Sequence, residues 1–239
     1  MWLVTNWSTV SPMLVQHIWL AVLPTLFGLA IALPLGMFLR TRRRGRAFAV
    51  AASSLIYTIP SLALFVLIPS VLGTQFLDPA NVVIALTLYS ASLCVRSVLE
   101  SLDEVPEGTR EAATAIGFAP WRRTALVDLP LVIPVLAAST RVAAVANVSM
   151  VSVGAVIGVG GLGKMFTDGY QRNFPEEILW GIVLILLLAV CLDRTIALVA
   201  HGLTPWNHER GLAASAKRLR ALSRELPESA RLQEAVRVR

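Results

Sequence analysis

One glycine-rich segment has the residue types and the spacing to bind a phosphate group. Gly158-Val-Gly-Gly-Leu-Gly163 matches the dinucleotide-binding pattern G-x-G-x-x-G, and with Lys164 it nearly matches the phosphate loop of nucleotide-binding proteins. A phosphate loop continues with a Ser or Thr that holds Mg²⁺, but this chain has Met165 there. No strand–helix–strand pattern surrounds the segment either. We therefore expect a tight glycine turn at this place rather than a nucleotide site.

Other catalytic chemistry finds no support in the sequence. No group of histidines, cysteines and carboxylates has metal-ligand spacing, and no candidate nucleophile is accompanied by a base. Cys94 and Cys191 lie inside apolar runs, so we expect neither a disulfide nor a metal site. His17, His201 and His208 are predicted to be solvated ends of apolar segments. We expect that the chain is not an enzyme and binds no metal or cofactor of its own.

The composition indicates a protein of the lipid bilayer. Of the 239 residues, 56% are hydrophobic and 15% are charged, whereas soluble domains contain about 25% charged residues. The mean hydropathy is +0.68. The net charge of +6 comes from basic residues in short blocks between apolar runs, which is the distribution of a membrane protein. We expect no nucleic-acid partner.

Five apolar runs are long enough to cross the hydrocarbon core, which takes about 20 residues per helix. They cover roughly residues 17–39, 47–78, 80–99, 131–157 and 177–200. Pro60, Pro69 and Gly73 interrupt the second run and predict a kinked helix with an irregular end; splitting this run would give six spans. The predicted fold class is an all-α, polytopic membrane helical bundle of about five transmembrane helices.

The distribution of Lys and Arg predicts the orientation in the membrane. The loop 40–46 holds five arginines, the segment 96–123 holds four, and the part from residue 194 to the end holds nine basic residues. The opposite side has only Lys164 and Arg172. Because basic residues collect on the cytoplasmic side, we expect the N-terminus outside and the C-terminus in the cytoplasm. The predicted parts are an external segment (1–16), a transmembrane domain (17–200) and a basic cytoplasmic tail (201–239).

The largest loop on the predicted cytoplasmic side, residues 100–129, carries the signals of two short helices. Pro106 can open the first helix, because the first turn does not need its missing N–H. Gly117 is a natural C-terminal stop, and Pro120 can open the second helix, which we expect Leu129-Pro130 to end. A plain connection would not need two helices around a glycine corner. The loop therefore indicates a docking surface for a cytoplasmic partner.

The same loop resembles the EAA motif of permease subunits in type I ABC importers. Glu111-Ala-Ala113, Gly117 and Leu129-Pro130 have the spacing of that motif and lie between the corresponding spans. In that family the motif forms coupling helices that fit into a cleft on the ATPase. The resemblance implies that Glu111, Ala112 and Gly117 couple this chain to a separate ATPase, which would bind ATP and Mg²⁺ in its place.

Three further stretches are similar to the osmoprotectant branch of that family, whose members transport glycine betaine, carnitine or choline. They are Tyr57–Ala63, Ile157–Gly163, and Leu129–Pro134 followed by Arg141. Permeases for methionine share part of this pattern and are the alternative. The segment Ser97-Val-Leu-Glu100 departs from the branch, in which an Asn-Thr pair is expected. In all, the resemblance covers roughly residues 24–198.

Two of these stretches contain candidates for the substrate path or gate. Pro60 frees backbone groups inside a span, and such groups are tolerated only against protein or a water-lined cavity. Transporter paths use interrupted helices of this kind. Tyr57, Pro60 and Ser61 therefore either line the path or form a packing kink. Gly160 and Gly161 either bring the backbone close to a second permease as an outer gate or make a simple turn.

Arg141 is a charge inside a predicted span. Intramembrane charges are expensive and require a partner, and the same span contains no acidic residue. We expect Arg141 to face the bundle or a permease interface and to act structurally.

The resemblance implies a permease subunit that moves a small osmoprotectant by alternating access, in the bacterial plasma (inner) membrane as a multi-pass protein. Its implied partners are a dimer of cytoplasmic ABC ATPases, a second identical or similar permease, an extracytoplasmic substrate-binding protein and the lipid bilayer. Two competitors come from other classes. A membrane anchor or assembly protein would not need interrupted helices, and a self-contained carrier would not need the docking loop.

Overall fold

The computed structural model describes residues 2–206, and within this range the chain forms helices and no strand. The helices are α1 (Trp2–Thr5), α2 (Trp7–Leu39), α3 (Arg43–Thr58), α4 (Ser61–Leu72), α5 (Pro79–Glu104), α6 (Glu107–Ala115), α7 (Pro120–Arg123), α8 (Leu129–Gly154), α9 (Lys164–Gln171) and α10 (Pro175–Leu203). A π-helical turn, Thr124–Asp128, joins α7 to α8, and a 3₁₀ turn, Ala155–Ile157, follows α8. Most of the predicted basic tail lies outside the described residues.

The described helices form the predicted all-α membrane bundle. Four helical stretches are long and apolar enough to span a membrane: Trp7–Leu39, Pro79–Glu104, Pro120–Ile157 and Pro175–Leu203. Helices α3 and α4 meet at 105° and count as a fifth span if the pair is taken together. With 16 and 12 residues, each is shorter than the roughly 20 residues that a span requires. The described chain thus has up to five spans, and the sixth is not supported.

The break between α3 and α4 is sharper than the predicted kink. Ile59 and Pro60 are extended, with ψ angles of 129° and 134°, because a proline disfavours helical geometry at the residue before it. Tyr89 on α5 donates a hydrogen bond from its hydroxyl to the Ile59 carbonyl, which the break leaves without a helical partner. The predicted interruption at Pro69 is wrong, since this residue lies inside α4, which ends at Gly73 with φ of 69°. The structure therefore has two distinct helices here rather than one kinked helix.

Helix α5 is the centre of the bundle and packs closely on α2. In the most apolar stretch of α5, 67% of the residues are buried inside the structure. In the corresponding stretch of α10, none is buried. Two glycines on α2 allow the close approach. A Cβ added at Gly28 would lie 2.3 Å from the Cβ of Ser90, and one added at Gly36 would lie 2.4 Å from a methyl carbon of Val98. Small residues at helix interfaces are the usual way for membrane helices to pack.

A buried polar cluster ties α2, α5 and α8 together. The Asn147 side-chain amide donates two hydrogen bonds of 2.8 Å, one to the Thr25 hydroxyl and one to the Ser90 hydroxyl. All three side chains are buried. Buried polar groups in a bilayer need such partners because no water is available. Each interhelical bond of this kind contributes about 0.6 kcal/mol on average, so the cluster mainly specifies how the three helices fit together.

Candidate coupling surface and translocation path

The loop with the EAA-like motif forms the two predicted short helices. Helix α6 ends at a glycine corner, where Gly117 has φ of 90°. The Gly117 N–H donates to the Thr114 carbonyl at 3.0 Å, and the Phe118 N–H donates to the Ala113 carbonyl at 3.1 Å. These two bonds form a Schellman motif, in which glycine takes the left-handed position without strain. Pro120 then opens α7, as predicted.

The predicted end of the second short helix at Leu129-Pro130 is wrong. The chain stays helical from Pro120 to Ile157 by passing through the π-helical turn Thr124–Asp128. Here the Leu129 N–H donates to the Thr124 carbonyl, five residues back. Pro130 has no N–H and its ring crowds the preceding helical turn. The wider π turn gives the proline ring room, so the coupling loop continues into α8 without a break in the helix.

The motif residues lie on the outer face of the loop. Glu111 and Ala112 are exposed, whereas Ala113 is buried against the body of the protein. Two large apolar side chains are also exposed beside the glycine corner: Ile116 is 76% exposed and Trp121 is 72% exposed. Exposed apolar groups that cluster with polar neighbours mark interaction sites. Sequence reasoning missed both of them, although they flank the glycine corner that it identified.

A fully buried carboxylate holds this loop to the rest of the bundle. Asp128 is 0% exposed, and its Oδ2 accepts a hydrogen bond of 2.7 Å from Nη1 of Arg40 at the end of α2. Arg110 on α6 approaches the other oxygen, with Nε 3.5 Å from Oδ1. Arg110 also donates a hydrogen bond to the Leu102 carbonyl near the end of α5. One carboxylate therefore joins the end of α2, the coupling helix and the start of α8.

The Asp128 cluster was missed at the sequence level, but the sequence contained a signal. Asp128 is the only acidic residue between positions 112 and 167, and it lies immediately before an apolar span. A buried charge of this kind requires a partner. The arginine-rich loop 40–46 offered several candidates.

The path candidates around the break in the second span do not share one surface. Tyr57 is half-exposed, and its ring meets the Tyr89 ring edge to face, with centroids 5.9 Å apart. Tyr57 lines a groove between α3 and α5, but Pro60 and Ser61 do not. The break is thus supported by Tyr89, while Tyr57 faces open space.

The glycine-rich segment after α8 is a turn that α2 holds in place. Gln16 donates from Nε2 to the Val159 carbonyl at 2.8 Å and accepts from the Gly161 N–H at 3.1 Å. Gly160 and Gly161 have φ of 94° and 74°, a region that favours glycine. A Cβ at Gly160 would lie 2.5 Å from Oε1 of Gln16. The turn interpretation is confirmed within this chain, while the role of outer gate stays a prediction.

His17 is fully buried, so its prediction as a solvated end is wrong. Its Nδ1 accepts a hydrogen bond from the Leu162 N–H at 3.1 Å, and its Nε2 lies 2.9 Å from the Val148 carbonyl. Nδ1 as acceptor and Nε2–H as donor is the pattern of a neutral imidazole. Because α2 begins at Trp7, ten residues before the predicted start of the first run, this histidine lies within the helix. It binds the glycine turn to α2 and α8.

Arg141 has the partner that its place in a span requires. Its Nε and Nη2 donate to the two carboxylate oxygens of Asp193 at 2.7 and 2.8 Å. This two-point geometry is the strong form of an Arg–carboxylate pair. It connects α8 to α10, of which only Glu177 and Gly181 are buried. The structural role expected for Arg141 agrees with this contact, although facing a second permease stays a prediction.

With these elements in place, comparison with known proteins identifies the family. Residues 25–204 match the family described as the binding-protein-dependent transport system inner membrane component. The chain belongs to this family. It is therefore a transmembrane permease of an ABC transporter and a multi-pass protein of the bacterial inner membrane.

Relatives of the permease are similar over most of their length. The chain is 33% identical over 207 residues to an osmoprotectant import permease of Salmonella typhimurium, covering 85% of this chain and 96% of the relative. It is 27% identical over 190 residues to a glycine betaine/carnitine/choline transport system permease of Bacillus subtilis, covering 80% and 86%. Among solved structures, an inward-facing MetNI methionine ABC transporter matches with a TM-score of 0.70 at 23% identity, covering 82% and 96%. This last similarity shows the fold alone.

Proposed function

We propose that this permease imports a small osmoprotectant of the glycine betaine, carnitine and choline class by alternating access. Support comes from the stretches Tyr57–Ala63 and Ile157–Gly163 and from the transport functions of the relatives. A methionine permease is the alternative, but it shares only part of the sequence pattern, and the solved methionine transporter shows a likeness of fold at 23% identity. The anchor interpretation is weaker, because a broken span and a polar groove between α3 and α5 suit a transport path.

The observation that carries the mechanism is the exposed coupling loop. Glu111 and Ala112 are exposed, and Gly117 turns the chain so that α7 leads into α8. A cavity of about 970 Å³ lies beside α6, with Glu111 and Trp121 in its lining. A dimer of cytoplasmic ATPases would dock here and bind the ATP and Mg²⁺. This chain would hydrolyse nothing and would convert movement of the loop into movement of α8.

The other partners follow from the same arrangement. A second, identical or similar permease would complete the path, and the largely exposed apolar face of α10 gives it or lipid a surface to contact. An extracytoplasmic binding protein would deliver the solute on the side of the glycine turn, where Gly160 and Gly161 would form part of the outer gate. In this proposal the N-terminus lies outside and the coupling loop lies in the cytoplasm.

Uptake in vesicles tests the proposal. The permease is reconstituted with its ATPase and binding protein, and uptake of radiolabelled glycine betaine is measured with carnitine, choline or methionine as competitor. We expect competition by the first two and none by methionine. Competition by methionine alone would select the alternative, and an absence of ATP-dependent glycine betaine uptake would refute import of this solute class.

A charge reversal tests the coupling surface. Glu111→Lys is expected to leave the chain abundant in the membrane but to abolish solute-stimulated ATPase activity, because the residue is exposed and its loss costs the helix less than about 1 kcal/mol. Glu104→Lys is the matched control, since it makes the same charge change at an exposed position outside the cavity beside α6. Equal activity of the two variants would show that Glu111 does not contact the ATPase.

Labelling of single cysteines tests the orientation in a background without Cys94 and Cys191. A cysteine at Thr41 should be protected from an impermeant thiol reagent in intact cells, and one at Asp168 should be labelled. The reverse pattern would overturn the proposed orientation.

A further inference from the structure

A polar groove lies between α3 and α5. Its volume is about 500 Å³. Four serines line it, together with Tyr57, Arg96 and Glu100, and Leu93 is its one apolar lining residue. Such a lining is unusual for two helices that belong to membrane spans. Polar groups within membrane spans are tolerated only where they face protein or water.

The two charges of the groove form a pair one helical turn apart on α5. Arg96 Nε donates to Glu100 Oε1 at 2.8 Å, and the two side chains are 56% and 57% exposed. They precede the end of α5 at Glu104 by eight and four residues, which places them about 12 and 6 Å from that end of the helix. The coupling loop follows this end, and charged side chains near the end of a span reach water rather than lipid. The groove is therefore a water-accessible surface at this end of the bundle.

Each charge of this ion pair can exchange its partner for an oppositely charged group of a solute. An exposed pair of this kind contributes only about 0.2–1 kcal/mol, so separating the two side chains costs little. Once separated, the guanidinium of Arg96 can bind a carboxylate through two parallel hydrogen bonds. The carboxylate of Glu100 can attract a cation, including a quaternary ammonium group that has no N–H to donate.

Tyr57 adds an aromatic surface at the same place. Its ring contacts the ring of Tyr89 edge to face. The Tyr89 hydroxyl in turn donates a hydrogen bond to the Ile59 carbonyl at the helix break. Tyr57 remains 47% exposed. Aromatic faces attract quaternary ammonium groups through the cation–π interaction. The groove thus presents a cation, an anion and an aromatic ring within a short distance along two helices.

We propose that this groove contacts a zwitterionic solute during its passage, with Arg96 on the carboxylate and with Glu100 and Tyr57 on the quaternary ammonium group. The inference rests on the proposed function and specifies which groups of the solute the permease itself binds. Choline has the ammonium group but no carboxylate. Arg96 should therefore contribute to the transport of glycine betaine but not of choline. Glu100 should contribute to the transport of both solutes.

Uptake of the two solutes by groove variants tests this assignment in vesicles that contain the complete complex and its binding protein. Arg96→Gln is expected to lower glycine betaine uptake at least about ten-fold, as expected for loss of a charged hydrogen bond, and to change choline uptake less than about two-fold. Glu100→Gln should lower both. Arg96→Lys keeps the positive charge and should restore much of the glycine betaine uptake. Arg44→Gln, which removes the same charge outside the groove, should change neither.

The outcomes separate this inference from the proposed function. If the unmodified complex takes up neither solute, the proposed function fails and the assignment fails with it. If the unmodified complex is active and Arg96→Gln lowers both solutes equally, or neither, the function stands and the zwitterion assignment is wrong. A Ser97→Cys variant without Cys94 and Cys191 gives an independent measurement. It should react with a small water-soluble thiol reagent, and its protection would contradict a water-accessible groove.

Discussion

Removal of the charge at Asp128 should disconnect the coupling loop from the bundle. The Asp128→Asn variant keeps the size of the side chain but leaves Arg40 and Arg110 without their counter-charge. These arginines are only 14% and 20% exposed, so water compensates for the loss poorly. The end of α2, the coupling helix α6 and the start of α8 all meet at this carboxylate. We therefore expect a loss of both stability and coupling.

The expected size of the effect follows from the geometry. At an effective dielectric constant of about 20, a charge separation of 2.7 Å corresponds to an attraction of about 6 kcal/mol, and 3.5 Å to about 5 kcal/mol. Desolvation of the buried ions offsets several kcal/mol of this. Breaking a buried pair from one side typically costs about 3–5 kcal/mol, and the partial exposure of the two arginines places this case near the lower end. On the scale of soluble domains, about 3 kcal/mol corresponds to a fall in Tm of about 6–12 °C.

The assay uses the buried cysteine of α5 as a reporter. In a Cys191→Ser background, a thiol-reactive dye labels Cys94 only when the bundle opens, because Cys94 is buried and Cys191 is exposed. The labelling temperature gives the Tm in detergent, and ATPase stimulation by the solute-loaded binding protein gives the coupling. Asp103→Asn is the control. Asp103 pairs with Arg46, but both side chains are more than a third exposed, so its loss should cost less than about 1 kcal/mol.

A double-mutant cycle provides the decisive comparison. If Asp128 and Arg40 interact as described, the variant with Asp128→Asn and Arg40→Gln should lose less stability than the sum of the two single variants. Strict additivity, or a Tm equal to that of the Asp103→Asn control, would refute the reasoning.

Three further outcomes are expected. Gly117→Val should reduce transport and solute-stimulated ATPase activity while Gly117→Asn retains most of both, because a Cβ meets nothing within 4 Å and only the φ of 90° opposes the change. Gly28→Ala should prevent accumulation of the protein in the membrane, measured by immunoblotting, whereas Gly154→Ala should be tolerated, because its Cβ would make ordinary contacts of 3.6 Å or more. Tyr89→Phe should lower the dye-labelling Tm by the equivalent of about 1 kcal/mol, since the carbonyl at the helix break loses its donor.

The amino-acid sequence by itself determined the long apolar spans and where the coupling loop turns. A bilayer requires every backbone polar group to be satisfied within the span, so long apolar runs must form helices. The two short helices of the loop followed from Pro106, Gly117 and Pro120, because the signals that start and stop a helix are local. The family resemblance also rested on residues close together in the sequence, and the comparison confirmed it.

The effect of each proline was decided by tertiary structure. Pro24, Pro34 and Pro69 lie inside continuous helices, whereas Pro60 separates two helices by 105°. All four stand in apolar runs, so local sequence does not distinguish them. What differs is whether the surrounding helices stabilise an open turn. Tyr89, 30 residues away along the chain, does this for the Ile59 carbonyl.

The partners of the buried charges also came only from the assembled bundle. Asp128 pairs with Arg40 across 88 residues of sequence, and Arg141 pairs with Asp193 across 52. The sequence showed that a charge in a span needs a partner, but it contained several candidates for each. Which one lies within 3 Å depends on the crossing and rotation of the helices. Those are set by the close packing of small residues such as Gly28 and Gly36 against α5.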